Sequence, residues 1–493
     1  MTRNVRIWAP ARECFSTRLY QLSLVVFFLL ALSACSDGSN HVPVLNDPVD
    51  TVDRPQEPAF DDPAPANVSD PLPADEGALL LAFDNVLQTM RTELEWLMAH
   101  PHYTDDQARA EAVRMLIEFT AGGLNGALTN NDFPHIVLPD PRQWSQGVPN
   151  PNSQYQAASI DGISDFRLWC SRGTTSDIIV QVVGGGNIGA GGGGASLTSK
   201  DLNVDADGDF TVFIGPERPE FCSADDCNWL NSTGQFLTFI RFTHSDWEIE
   251  RPGRCHIEKR GNAGETEPAL TTGTLAQKLA ITTGAISQLR LWAGFAERLK
   301  SRLPANFVFV PRQHEGIEGK YHSQGWFDLA EGQALIIERL PPAIEAGSKA
   351  LFSGIDLANF WWQGLDPANH QSSLTTDQAY TWPGDDGIEG TADDRIRYVI
   401  SKTDPGVKNW VDTVGRDSGW ITLRWQGADP NMMPPNSTKT NPATQLVAIE
   451  DLPTILGSDE FISGPEERKA QIKIRQANIR ERYSGWSSVV GVD

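Results

Sequence analysis

Along the run from Ile240 to Glu250, the residues His244, Asp246, Glu248 and Glu250 occupy every even position from His244 onward. On a β-strand, where side chains alternate with a period of two, these four share one face while Trp247 and Ile249 point the other way. Three carboxylates and an imidazole spread over about 20 Å of strand can hold a metal ion or divide the roles of general acid and general base. A carboxylate-dependent hydrolase acting on glycans would draw its second acid from elsewhere in the fold. The plainer alternative, a solvated strand face whose reverse packs into a core, is the commoner fate of such a pattern.

A second acidic constellation runs from Gly384 to Asp394 and contains Asp385, Asp386, Glu389, Asp393 and Asp394 among glycines. Hard cations such as calcium want several oxygens at close range, and a glycine-rich loop can fold its carbonyls inward beside the carboxylates. The spacing departs from the EF-hand pattern, and an acidic solvated hairpin tip is the competing reading. Asp205, Asp207 and Asp209 form a shorter version that reads as a plain turn.

Exposed aromatic side chains stack against sugar rings, and this chain has 15 tryptophans. Trp361 and Trp362 are consecutive, so on a strand they face opposite ways and one of them is expected to be exposed to a glycan or other small ligand. No serine lies in a Gly-x-Ser-x-Gly elbow, no His-Glu-x-x-His is present, and no spacing suggests a nucleotide or haem site. The glycine-rich run from Gly184 to Gly194 is not followed by Gly-Lys-Ser/Thr, so it reads as a hairpin loop rather than a phosphate cradle.

The formal net charge is −24 over 493 residues, which disfavours nucleic acid and anionic lipid headgroups as partners. Of the six cysteines, Cys14 and Cys35 lie near the N-terminus, leaving Cys170, Cys222, Cys227 and Cys255. Their even count suggests two disulfides. The short spacing of Cys222 and Cys227 favours a local bridge, with Cys170 left for Cys255; zinc is disfavoured because only His256 lies close by.

The elements that must position these groups follow from hydrophobic period. Apolar residues recur every three or four positions from Leu79 to Met98, predicting an amphipathic helix over 76–99. Thr104-Asp105-Asp106-Gln107 opens a second helix as a capping box, and a third spans 274–302 before Pro304. Between and beyond them lie short β-rich runs, among them Phe166–Trp169, Ile178–Val183, Phe210–Ile214, Ala334–Glu338, Ile396–Ile400 and Trp420–Trp425. The fold class expected is α+β, mainly β: N-terminal helices, then two antiparallel β-sandwich, jelly-roll-like units separated by a helix. The expected divisions are 1–34, 35–75, 76–270 (helical hairpin plus first β domain), 271–430 (helix plus second β domain) and a C-terminal extension, 431–493.

At the N-terminus, four arginines precede an apolar run of about a dozen residues, too short for a comfortable permanent span. The run closes on Leu32-Ser33-Ala34-Cys35, which resembles the signal-peptidase and acylation site of bacterial lipoproteins. That resemblance implies removal of 1–34, acylation of Cys35 (palmitate being a typical chain) and a bilayer as partner. With Ser36 next and Asp37 one place later, it favours the outer membrane. Residues 36–75 hold eight prolines and nine acidic residues, a composition that buries too little to fold and reads as a tether.

The run Asp404-Pro405-Gly406-Val407-Lys408-Asn409-Trp410-Val411-Asp412-Thr413, with Gly415, Gly419 and Arg424-Trp425, resembles the signature of the bacterial domain-of-unknown-function 1214 family. The likeness extends upstream to Gly325–Leu329, Glu331–Ile337, Pro341-Pro342, Arg241, Asp246–Glu250 and Ile257-Glu258. It implies mainly β domains with a jelly-roll-like C-terminal part and no established activity. Asn409 and Asp412 are candidate ligand-binding residues, with satisfaction of loop backbone as the preferred reading. The whole sequence points to a lipid-anchored envelope protein that binds or processes a ligand, with a glycan hydrolase and a structural envelope protein as rivals.

Overall fold

The computed structural model describes residues 74–140, 144–145, 147–184, 193–223, 226–341 and 351–484. Cys35 and the tether to residue 73 lie outside them. Two long helices come first, α1 (Ala74–Met98) and α2 (Asp106–Ala127), close to the predicted bounds. The Asp105 side chain caps α2 by accepting from the Ala108 N–H, one residue after the Thr104 of the expected capping box, whose Gln107 instead donates to the Val414 carbonyl.

The first sandwich contains β1 (Ser153–Ser159), β2 (Phe166–Gly173), β3 (Asp177–Val183), β4 (Gly193–Thr198), β5 (Asp209–Gly215), β6 (Asn228–Asn231), β7 (Leu237–Thr243) and β8 (Pro252–Lys259). Its sheets run β1-β7-β3-β4 and β6-β5-β2-β8. Between them Val180, Ile240 and Phe242 meet Leu168, Val212 and Ile257. β3 and β4 pair antiparallel, so the glycine run does connect a hairpin, although residues 185–192 lie outside the described set. Cys170 and Cys255 face each other across β2 and β8 and are bonded, while Cys222 bonds Cys227.

Helix α3 (Thr272–Lys300) leads to the second sandwich: β9 (Phe307–Val308), β10 (Arg312–Gln313), β11 (Tyr321–Asp328), β12 (Gln333–Arg339), β13 (Phe352–Ala358), β14 (Ser373–Thr375), β15 (Ile396–Ser401), β16 (Trp410–Asp412), β17 (Ser418–Gln426) and β18 (Ala443–Ala448). One sheet runs β10-β11-β17-β13-β14, with β9 also on β11, and the other β16-β15-β12-β18. Pairing is antiparallel except for β5 with β6 and β15 with β16. Ile355, Ile421 and Leu423 from the first sheet pack on Leu335, Tyr398 and Ile400 from the second.

The three helices cover the outer face of the β11-β17-β13 sheet, where Phe119, Ile286 and Leu289 meet Trp326, Ala358 and Trp420. The tail, for which the sequence predicted no element, contributes β18, a short α4 (Leu452–Ile455) and α5 (Pro465–Ser484). α5 straps the two sandwiches together. Its Arg475 donates to the Pro367 and Ser373 carbonyls of the second, Arg482 donates to the Pro151 carbonyl of the first, and Asn478 donates to the Trp247 carbonyl. Trp247 lies fully buried under both guanidinium groups, 4.5 and 4.4 Å from its ring centre. Truncating a buried aromatic of this size removes both its transfer energy and its packing. Trp247→Ala is therefore expected to cost about 3–5 kcal/mol in urea unfolding, with α5 released to proteolysis at lower denaturant than the rest.

Candidate functional site

The 240–250 segment does not form the expected strand. β7 ends at Thr243, and residues 244–250 turn because Glu250 reaches back to accept from the backbone N–H groups of Ser245 and Asp246, 3.0 and 3.2 Å away, and of Ser176. Asp246 accepts from the Glu248 N–H at 2.8 Å, so two of the candidate acids serve as turn staples and Glu248 points to solvent. His244 is buried apart from them against the Asn152 carbonyl, and burial keeps its imidazole neutral, well below its usual pKa. The common face on which an acid and base pair rested does not exist.

The acidic loop also satisfies itself. Asp393 accepts from the Asp385 N–H, Asp394 from the Gly390 N–H and Asp386 from the Ile388 N–H, which turns the carboxylates to their own backbone. Among the described residues no group of three or more His, Cys, Asp or Glu converges as a metal site, Glu389 and its neighbours included. Asn409 is a clamp: its amide donates to the Tyr380 carbonyl and accepts from the Tyr380 N–H. Asp412 accepts from the Val414 N–H and pairs with His370 Nδ1 at 2.8 Å. Neither Trp361 nor Trp362 is exposed, at 1% and 3%. The reason is local, since Trp362 is not on a strand but in the left-handed region (φ 62°), which turns both rings inward.

Trp362 nevertheless leads to a site. It lines a partly open cavity of about 720 Å³ between the two sandwiches, within the 300–1,000 Å³ range of small-molecule pockets. The cavity arises where two sheet faces that would ordinarily be solvated are turned toward each other. From the first sandwich come Tyr155 on β1 with Phe239 and Arg241 on β7; from the second come His322 and Gln324 on β11 with Thr422 and Arg424 on β17. Antiparallel register explains the second set, because His322 lies opposite Arg424, Gln324 opposite Thr422 and Trp326 opposite Trp420. Trp292 and Phe295 of α3 close one side, and Trp362 stacks on Trp420 with centres 4.7 Å apart.

At the polar end, Arg424 is buried and forks onto Asp356 of β13, with its other donor on the Val148 carbonyl at 2.7 Å. Glu315, in the turn between β10 and β11, lies 3.4 Å from Arg241 and hydrogen-bonds Lys320. Burial alone would raise the Glu315 carboxyl, but the Arg241 and Lys320 charges outweigh it and hold that group far below the ordinary carboxylate range. Burial and the Arg241 charge press the Lys320 ammonium down to about 7 despite Glu315. His314 and His322 stack 3.8 Å apart, and burial keeps both rings neutral.

Backbone strain gathers at the same place. Val148, Glu315 and Trp362 are non-glycine residues with φ of 50°, 57° and 62°, and all three line the cavity. Such conformations cost of order 1–3 kcal/mol each and persist only where the surroundings impose them, which is characteristic of ligand-holding sites. A second groove, beside Trp169 and His256 on the outer face of β2 and β8, is by contrast flanked by exposed side chains such as Arg167 and Arg254. The sequence reading passed over His314, Glu315, Lys320 and His322. The available signal was a pair of histidines flanking the turn-forming Glu315-Gly316 and Gly319-Lys320, which a hairpin brings side by side.

Glu315→Gln would leave Arg241 and Lys320 without their shared counter-charge, and a stability loss of about 3 kcal/mol is expected in denaturant unfolding. Because the folded-state pKa of Glu315 is depressed, its contribution is complete above its unfolded value of 4.5 and is lost as pH falls below it. Unfolding curves collected between pH 6 and pH 3 should therefore fall less steeply for Glu315→Gln than for the native chain.

No protein-family model and no curated protein matches the chain. Among solved structures it is similar to that of an uncharacterized protein from Burkholderia cenocepacia, with 23% identity, a TM-score of 0.64, and coverage of 76% of this chain and 99% of that one. A protein from Vibrio parahaemolyticus aligns at 10% identity and a TM-score of 0.38, over 74% of this chain and 100% of that chain. The first likeness is one of fold.

Proposed function

We propose that this chain is a lipid-anchored protein of the bacterial envelope, held at the outer membrane through acylated Cys35, that takes a small, largely apolar organic ligand into the cavity between its two sandwiches. The observation that carries the reading is the cavity itself: it is recessed between the sandwiches, walled by Trp144, Phe239, Trp292, Phe295 and Trp362, and has a cluster of buried polar groups at one end. Two disulfides suit an oxidising compartment outside the cytoplasm. The acidic tether before residue 76, at about 3.1 Å per residue when extended, has the length to lift the domain on the order of 100 Å from the lipid. Likeness to the 1214 family belongs to the same proposal and assigns no chemistry. Calcium is left out of it, since Asp386, Asp393 and Asp394 accept from backbone N–H groups and no cluster of three candidate ligands converges among the described residues.

Acylation has a direct test. With the native leader the chain should fractionate with membranes, whereas Cys35→Ala should leave it soluble in the envelope fraction; equal membrane association of both would remove the anchor from the proposal.

Ligand uptake is tested with 1-N-phenylnaphthylamine, a neutral arene whose fluorescence rises in an apolar site. Gln288 lines the cavity from α3, so Gln288→Trp should fill it. Saturable binding lost at least tenfold in Gln288→Trp, at an unchanged melting temperature, is the expected result. Equal fluorescence enhancement in both proteins would place the probe elsewhere and sink the reading.

A further inference from the structure

Among the described residues, the charged side chains lining the cavity are Arg241, Arg302, Arg312, Lys320 and Arg424, against the single carboxylate of Glu315. This is the reverse of the chain as a whole, whose net charge is −24. Arg302 and Arg312 are exposed at the mouth beside Phe236 and Val310, where positive charge steers anions inward. Lys320, Arg241 and Arg424 are buried inside, at 4%, 4% and 6% exposure.

Behind the wall, Asp356 is engaged by the Arg424 fork, Glu315 is shared between Arg241 and Lys320, and the buried Asp177 of β3 lies within reach of the Lys320 charge without lining the cavity. The lining itself is therefore cationic, and in a low-dielectric space it suits an anionic ligand. The Thr422 hydroxyl and the Trp362 indole N–H also line the cavity, and both are buried with no hydrogen-bond partner among the described residues. A bound acceptor would satisfy them.

Resting on the proposed ligand-binding role of this cavity, we infer that its ligand is an organic monocarboxylate with an aromatic body, the carboxylate directed to Lys320 and Arg241 and the ring system lying among Trp292, Phe295 and Trp362. A carboxylate leaving water loses several kcal/mol of hydration, which only a buried counter-charge returns. The site therefore discriminates by sign. It favours an acid over its neutral amide of the same shape, and without Lys320 the order reverses.

The groups facing Lys320 fix how this depends on pH. They are His314 and Glu315 on its own hairpin, His322 on β11, Arg424 on β17, Arg241 on β7, Asp177 on β3 and Tyr155 on β1. Burial holds the histidines neutral and the Tyr155 phenol above 10 and lifts the Asp177 carboxyl only to about 6, while Glu315 stays ionised and Arg424 stays charged. Between pH 7 and pH 9 only Lys320 changes its charge, and a bound anion favours its protonated form. Anion affinity must then fall as pH rises through that range.

The test is calorimetric titration of the full chain with 2-naphthoate and with 2-naphthamide at pH 7 and pH 9, repeated with Lys320→Met. The expected result is naphthoate binding at least tenfold tighter than naphthamide at pH 7, a loss of at least tenfold in naphthoate affinity by pH 9, and no pH effect on the amide. In Lys320→Met the amide should bind the tighter of the two. Should that variant fail to fold, the acid-to-amide ratio and the pH series on the native chain decide alone. Equal binding of acid and amide with no pH dependence would overturn the anion assignment and leave the apolar cavity as a ligand site. Failure of both compounds to bind would overturn the assignment and the ligand-binding reading together.

Discussion

Arg424 on β17 carries a permanent charge into the space between two sandwiches, where it is held by the Asp356 carboxylate on the adjoining strand and by the Val148 carbonyl on the segment after α2. Burial opposes that charge, but Asp356 more than offsets it, so the guanidinium stays ionised. Breaking such a pair by removing one partner leaves the other buried and unpaired, at a cost of about 3–5 kcal/mol. The hydrogen bond to Val148 does more than neutralise. It fixes a left-handed valine, whose own N–H donates to the Trp362 carbonyl at 2.9 Å, and so sets the second strained residue of the cavity wall.

From that contact the architecture can be followed outward. β1, β3 and β7 of one sandwich and β13 and β17 of the other are buried along nearly their whole length, while β2, β5 and β8 alternate between buried and exposed positions. Ordinary antiparallel sheets keep one face in water. Here the inner sheet of each sandwich has lost its water face to the other unit and to the helices, so its second set of side chains is a second core. Because that set includes Arg241, Lys320, His322 and Arg424, the second core is polar at one end and aromatic at the other. α5 closes the arrangement from outside, with Trp247 held beneath Arg475 and Arg482.

Several functional expectations failed for a common physical reason. Alternation of His244 through Glu250 implies a shared face only if the segment stays extended, and Glu250 instead turned the chain by accepting from three backbone N–H groups. In the acidic loop, short Asp side chains beside glycines found local N–H donors before any cation was needed. Consecutive tryptophans point oppositely on a strand, but a left-handed Trp362 removes that rule. In each case a local side-chain to backbone bond or a positive φ, neither visible as periodicity, decided the geometry. The C-terminal tail was legible in principle, since Pro465-Glu466-Glu467 is a sound helix start, though nothing in it names Trp247 as the partner.

Taken alone, the sequence determined the first three helices, the principal strands, the order of those helices and two sandwiches, and the cysteines available for bridging. These depend on hydrophobic period, capping and turn chemistry, which act over a few residues. The proposed Cys35 anchor rests on sequence resemblance of the same local kind. Only the tertiary structure decided that the outer faces of two sheets meet and that residues as distant as Arg241, Glu315 and Arg424 share one buried space. A period of two assigns side chains to a face but carries no information about whether water or another sheet lies against it. That difference separates a surface charge from a buried ligand contact.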